Sequence, residues 1–465
     1  MSNQLQRMDQ PRPQMIGHAE SFKRQLFPEI WALILSYLPD RSDLKNCSLA
    51  NHQLRDLTVP LIWTRFTLHL TVDRQFELMN HLSRIIQNPN RARYISNLRI
   101  LFLEAELRSD IVITASAMTT PSVPETPQTR SSAINSIIEA IFSLLDNVGY
   151  LTIVRVDRTS LRTYYPQFSS DISEISTDED YKDLNPPDHF SKIVFRTLEG
   201  WSTKSKLWGL STVNVPFEAV THFLKGLPSL SSLSMIPSAH DALQSGNPQP
   251  LCFLTLRSLR TNVHWAKTFL SSTSPTHSLT LLGTVSRSGD TIFDNRIEEL
   301  PDPVKTLEVE KMSSLDLAMI VRSIKCSWVF PNLQVIVHSS HGTDRTIWLG
   351  TKSQTTGIRI LYHCFRARQA LHSFVLRVTD YPIGVWMGSE SPGAFARALA
   401  SSKMIEFEGR SPPPRVILEL GTLGGREFVC WIFTMESRNQ WTCRQEAGPI
   451  GDVDEREIYL YLNRV

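Results

Sequence analysis

The chain has 465 residues, of which 41% are hydrophobic and 20% are charged, a mixture typical of globular proteins. Its 48 Lys and Arg residues nearly balance 46 Asp and Glu residues, which excludes a strong overall field for nucleic acid or an anionic membrane. Six widely separated cysteines include no C-x-x-C pair, and no apolar run approaches the ~20 residues of a membrane helix. We therefore expect free thiols, no metal or other cofactor, and a cytoplasmic or nuclear protein.

The N-terminal part of the chain predicts a polar lead-in followed by a helical module. Residues 1–24 are polar and contain proline, so we expect them to be disordered. Residues 25–68 predict three short helices, of which the first opens at Pro28 and the third ends before Pro60. Apolar residues of the first helix fall on one stripe, namely Ile30, Leu33, Ile34, Tyr37 and Leu38. So small a module covers too little of this surface alone, which implies a partner.

The same segment carries a recognisable motif. The motif is met by Leu26, Glu29, Ile30, Ile34, Leu35, Leu38, Pro39, Asp43, Leu44, Ser48, Leu49, Arg55 and Leu57. The segment resembles an F-box, the helical module that docks onto the Skp-type adaptor of SCF ubiquitin ligases, although Phe27 stands where proline is usual. The resemblance implies docking through Leu26, Pro28, Glu29, Ile30, Ile34, Leu35, Leu38, Pro39, Leu44 and Leu49. Each apolar residue of this set is equally well explained as part of a hydrophobic core.

The next part of the chain predicts a connection and two loops. Residues 69–108 predict a helical connection, with a helix over 73–87, and then a first repeat strand at 98–103. Residues 109–132 are rich in Ser, Thr and Pro, and residues 169–188 are acidic. We interpret both segments as solvated loops inserted between elements rather than as regulatory sites.

Short apolar runs recur over residues 133–410 and predict a leucine-rich-repeat-like array. The clearest runs lie at 230–235, 252–256, 279–282, 304–309 and 333–337, with looser ones at 151–156, 374–378 and 405–407. Successive clear runs start roughly 25 residues apart, within the range of leucine-rich repeats. Helical periodicity at Phe217–Leu224 and 315–324 implies one strand and one helix per repeat, which together make a solenoid. An irregular α/β domain is the alternative interpretation.

Residues 411–465 predict a C-terminal β cap, with a strand pair around 421–426 and a final strand at the C terminus. The glycines at 421–425 therefore predict a hairpin turn rather than a phosphate-binding loop. His338 and His341 with Asp344 follow a predicted strand and make a poor set of metal ligands. We predict neither a catalytic nor a cofactor site.

The sequence thus predicts an α/β protein in which a three-helix F-box module precedes an irregular leucine-rich-repeat-like α/β solenoid. The resemblance implies a non-catalytic substrate-recognition subunit of an SCF ligase, with a Skp-type adaptor, a cullin scaffold and a protein substrate as partners. Neither nucleic acid nor a membrane is expected as a partner. One alternative is an F-box scaffold bound to the adaptor alone, which co-assembly with a cullin would distinguish. The other is an enzyme with an incidental helical module, which would need titrating side chains converging in one pocket.

Overall fold

The structure is a computed structural model of the chain. It describes residues 27–38, 41–70, 83, 85, 87–103, 139–156, 189–202, 204–236, 251, 253–270, 275–282, 303–310, 317, 320–321, 330–340, 354–378, 392–402, 406–407, 409–421, 427–437 and 440–449. The chain forms two compact units, Met1–Val59 and Pro60–Val465. Among the helices in the described ranges, none combines the length and the apolar character that crossing a bilayer demands.

The described part of the first unit consists of helices and the short segments beside them. It contains α1 (Pro28–Ser36), α2 (Arg41–Ala50) and most of α3 (His52–Trp63). The expectation that the third helix ends before Pro60 is wrong, because α3 continues through this proline. A proline removes a single backbone donor. The last turn is held by the Thr64 hydroxyl, which donates to the Pro60 carbonyl over 2.8 Å.

The second unit is a mixed α/β structure built on an open sheet of 13 strands, which confirms the predicted fold class at this level. The strand order in the sheet follows the chain order, and each strand from β1 to β11 is parallel to its neighbour. The last two strands are antiparallel. The strands are β1 (Arg65–Leu70), β2 (Asn97–Leu103), β3 (Tyr150–Val156), β4 (Gly209–Val213), β5 (Ser232–Ile236), β6 (Ser258–Asn262), β7 (Ser278–Leu282), β8 (Thr306–Glu310), β9 (Val335–Ser340), β10 (Ser373–Val378), β11 (Arg415–Gly421), β12 (Glu427–Ser437) and β13 (Gln440–Pro449).

One face of the sheet carries the hydrophobic core. Side chains alternate between the two faces of a strand, and the pairing register aligns the second residues of β1 to β11. All of these are apolar and buried: Phe66, Leu98, Leu151, Leu210, Leu233, Leu259, Leu279, Leu307, Ile336, Phe374 and Val416. Side chains of helices in the second unit belong to the same hydrophobic cluster. We call this side of the sheet the core face and the opposite side the outer face.

A buried side chain also precedes each strand from β2 to β10. Two residues before these strands stand Ile95, Val148, Leu207, Leu230, Leu256, Thr276, Val304, Leu333 and Leu371, all 1% exposed or less. Hydrogen bonds between these approaches are regular as well. The Trp208 carbonyl accepts from the backbone N–H groups of Ser231 at 2.8 Å and Ser232 at 3.0 Å, and equivalent pairs recur from strand to strand. The hydrogen-bonding pattern of the sheet therefore extends to the loop residues just before the strands, and it gives their backbone N–H groups acceptors.

The helices of the second unit supply the other half of the core. They are α4 (Pro89–Ala92), α5 (His189–Gly200), α6 (Phe217–Leu224), α7 (Val263–Phe269), α8 (Gln354–Ala367) and α9 (Pro392–Ala400). The predicted helix Phe217–Leu224 is confirmed. The centroid of its Phe217 ring lies 4.6 Å from the centroid of the Trp265 ring in α7. Helix α7 begins at a cap in which the Asn262 side chain accepts from the Trp265 backbone N–H over 2.7 Å.

Two predicted strands are wrong, and four observed strands were not expected. Residues 254–255 form a turn, and Leu256 is the buried residue before β6 rather than part of a strand. Residues 406–407 form a 3₁₀ turn, in which Phe407 packs 5.9 Å from Phe365. The unexpected strands are β1, β4, β6 and β13. β11, which lies in the range 411–465, continues the parallel order, and it pairs with β12 as the predicted strand pair requires.

Several predicted features lie outside the described residues. They are the lead-in 1–24, the loops 109–132 and 169–188, most of the helix over 73–87 and the final strand at the C terminus.

Candidate docking surface

Helix α1 leaves an apolar face exposed to solvent. The exposed fractions are 71% for Phe27, 41% for Ile30, 58% for Leu33, 42% for Ile34 and 75% for Tyr37. Scattered exposed apolar residues are ordinary, but a contiguous group marks an interaction surface. We call these five residues the α1 apolar face.

The helix is apolar on two adjoining arcs, and only one of them is covered. At roughly 100° per residue, the α1 apolar face spans an arc of about 120°. The adjoining arc carries Trp31, Leu35 and Leu38, of which Leu35 is buried and the other two are half-buried. The arc with Leu35 is therefore at least partly buried in the folded chain, whereas the α1 apolar face is exposed.

Local interactions hold α1 in its helical form. The Phe27 carbonyl accepts from the N–H groups of Ile30 at 3.0 Å and Trp31 at 3.1 Å. Pro28 suits the first helical position because its missing N–H would have no partner there, and Glu29 in the first turn complements the helix dipole. The helix closes where the Tyr37 N–H donates to the Ile34 carbonyl over 3.1 Å. The geometry of the face is thus fixed by the helix itself.

Helices α2 and α3 add one exposed apolar side chain and a cap. Leu49, near the end of α2, is 83% exposed, whereas Leu44 of the same helix is buried. Asn51 caps α3 by accepting from the Leu54 N–H over 2.8 Å. Within α3, the buried Thr58 hydroxyl donates to the Leu54 carbonyl over 2.8 Å and leaves no unsatisfied polar group there.

The residues that the resemblance implies for docking fall into three classes. Pro28, Glu29, Ile30, Ile34 and Leu49 are exposed, Leu38 is half-buried, and Leu35 and Leu44 are buried. Leu26 and Pro39 lie outside the described residues. The exposed members are therefore available to a partner, and the buried ones serve the core.

Three exposed apolar residues were absent from that set, namely Phe27, Leu33 and Tyr37. Leu33 and Tyr37 belong to the apolar stripe visible in the sequence, so periodicity alone indicates them. Phe27 stands outside the family pattern, and its exposure was not predictable from that pattern.

The chemical alternatives have little support in the part of the chain that the structure describes. His338 lies within β9 on the core face and is fully buried, rather than after the strand as expected, while His341 and Asp344 lie outside the described residues. No group of three His, Cys, Asp or Glu side chains in the described ranges is placed to hold a metal ion. The cysteines at 47, 364, 430 and 443 are not joined in disulfide bonds.

Comparison with models of protein families finds no match to this chain, and comparison with curated protein sequences finds none either.

Proposed function

We propose that the chain is the substrate-recognition subunit of an SCF ubiquitin ligase, and that α1 to α3 form an F-box module that docks onto a Skp-type adaptor. The observation that carries the proposal is the α1 apolar face, because an exposed apolar arc beside a buried one suits a helix that lies in a partner's groove. In this role Ile30, Ile34 and Leu49 contact the adaptor together with the newly found Phe27, Leu33 and Tyr37. Leu35 and Leu44 support the module from within.

The second unit would then capture the substrate. The starts of β4 to β9 follow one another at intervals of 20 to 29 residues, and the buried approach residue and paired hydrogen bonds recur with them. This regularity supports a leucine-rich-repeat-like solenoid, in which each unit buries its apolar face against its neighbours. The role is non-catalytic: the chain holds a protein substrate close to the conjugating enzyme, so that transfer is promoted by proximity, in the cytoplasm or nucleus.

The test is capture of the purified full chain on an immobilised Skp-type adaptor. We expect Leu33→Asp with Ile34→Asp to weaken capture about a hundredfold or more, because each unpaired carboxylate buried in an apolar interface costs roughly several kcal/mol. Both positions are exposed in the free chain, so the variant should still fold.

The control is Ser36→Asp, which places one carboxylate on the exposed polar side of α1. The control should bind like the unmodified chain. Failure of the unmodified chain to bind the adaptor, or full binding by the double variant, would overturn the proposal. Addition of a cullin then separates a ligase subunit, which enters the larger complex, from a scaffold that stays with the adaptor alone.

A further inference from the structure

Five charged side chains gather on the outer face of the sheet between β6 and β11. Arg260 of β6, Glu308 and Glu310 of β8, Arg377 of β10 and Glu419 of β11 share this face because the pairing register places them in two adjacent outer rows. Their side chains are 16% to 28% exposed, so they are partly withdrawn from water yet still reachable. We call these five residues the outer-face ionic cluster.

The contacts within the cluster are short and directed. The Arg260 guanidinium reaches both oxygens of Glu310, with Nη2 at 2.7 and 2.9 Å from them. Arg377 bridges two carboxylates, donating from Nη1 to Glu308 at 3.0 Å and from Nε to Glu419 at 2.8 Å. The Ser339 hydroxyl also donates to Glu308 over 2.9 Å. Glu308 is thus fixed by several donors in one orientation.

The cluster contains one more carboxylate than guanidinium groups, so its net charge is negative. Burial lowers the pKa of Arg377, but Glu419, Glu308 and Glu310 more than offset this and hold that pKa above its ordinary value. The remaining charged residue that the structure describes on the outer face of β6 to β11 is Arg415, four residues before Glu419 and roughly 13 Å away along the strand. A partly buried anionic excess favours the approach of a further cation.

A second observation lies beside the cluster. Ser234 of β5 pairs in register with Arg260 and so occupies the same outer row. It is 2% exposed, and its hydroxyl makes no hydrogen bond within the described part of the chain. The neighbouring row members Ser211 and Thr152 are also small hydroxyl residues. Ser211 and Thr152 are half-buried, whereas the buried Ser234 hydroxyl lacks a partner in the described part of the chain, which is unusual and calls for an additional donor or acceptor.

We propose that the outer face of β5 to β11 binds a cationic protein segment, whose lysine or arginine side chains complete the outer-face ionic cluster and whose backbone or side chains provide a hydrogen-bond partner for the Ser234 hydroxyl. This deepens the proposed function by assigning a chemical class to the substrate, and the surface is independent of the α1 apolar face. Charge selects the segment, while the fixed carboxylates set where its cation is held.

The test uses the purified full chain and two fluorescent nonapeptides, one alternating lysine with serine and one with glutamate in place of lysine. Fluorescence anisotropy at low salt should show binding of the lysine peptide and none of the glutamate peptide, and high salt should weaken the binding. Glu308→Gln with Glu419→Gln reverses the excess charge and should weaken binding about tenfold or more. Glu436→Gln, at an exposed position of β12, is the control and should leave the binding unchanged.

A second variant guards against loss of fold. Arg260→Gln releases the Glu310 carboxylate and should tighten binding of the lysine peptide, a change that unfolding cannot mimic. Equal binding of both peptides, no binding of the lysine peptide, or an equal response to the cluster and control variants would refute the cationic segment. Adaptor capture by the cluster variants should remain intact, so that failure here is distinguishable from failure of the proposed docking role.

Discussion

At the residue scale, two glycines allow aromatic rings to lie against the sheet. A Cβ on Gly209 would stand 2.6 Å from Tyr150 Cε2, and one on Gly149 would stand 2.7 Å from Trp208 Cδ1. The two rings pack against each other, with centroids 5.3 Å apart, so neither can withdraw freely.

We therefore expect Gly209→Ala to reduce the free energy of unfolding by roughly 1 to 3 kcal/mol, since overpacking must displace the Tyr150 ring. Chemical denaturation of the full chain measures this. Gly200→Ala is the control, because a Cβ there would meet nothing within 4 Å. Equal stability of the two variants would show that the rings have more room than their positions indicate.

His372 should make stability depend on pH. Burial, and next the Arg415 charge, lower the pKa of His372 below its ordinary value, and its Nδ1 lies 2.8 Å from the Ser373 hydroxyl. The folded chain therefore binds a proton here less readily than the unfolded chain does. Stability should be lost as the pH falls below about 6.5, the pKa of an unperturbed histidine, and the loss should level off below the folded pKa.

The test is to measure the melting temperature between about pH 7.5 and about pH 5, a range that spans the titration of histidine. His372→Gln should flatten the acid side of the profile, whereas the same change at the exposed His363 should not. A profile unaltered by His372→Gln would assign the pH dependence to other groups.

At the scale of the element, the apolar residues of α1 have two different roles, because some are buried in the fold and others are exposed. Leu35→Ala should destabilise the fold by roughly 2 to 5 kcal/mol because it empties a buried position, while Leu33→Ala should stay within about 0.5 kcal/mol. Adaptor capture should respond in the opposite order, with Leu33 the more important. Thermal denaturation and adaptor capture on the same pair of variants make the comparison. A destabilised Leu33→Ala would mean that the face is already packed in the free chain.

The same helix shows how much of the structure could be predicted from the sequence. Its apolar stripe was predictable from spacing, but periodicity does not distinguish the arc that packs inside the chain from the arc left exposed. Leu35 and Leu33 look alike in the sequence and differ entirely in burial. Only the tertiary structure decides between them.

At the scale of the whole molecule, the α/β class and most strands were predictable because apolar residues recur at the right spacing. The errors share a cause. Leu256 is buried but lies before β6, so its inclusion in a predicted strand placed that strand too early. The outer faces of β4 and β6 carry hydroxyl groups and an arginine, which make the apolar pattern of these strands harder to recognise. The outer-face ionic cluster could not be foreseen, because its members lie up to 159 positions apart and meet only through the sheet register.

The agreement between strand order and chain order has a consequence for synthesis. As the chain leaves the ribosome, each strand after β1 finds the edge it must join already in place. A sheet whose later strands insert between earlier ones has to hold a gap open until they arrive. Here growth proceeds from one edge only, so the protein can be assembled in the order in which it is translated.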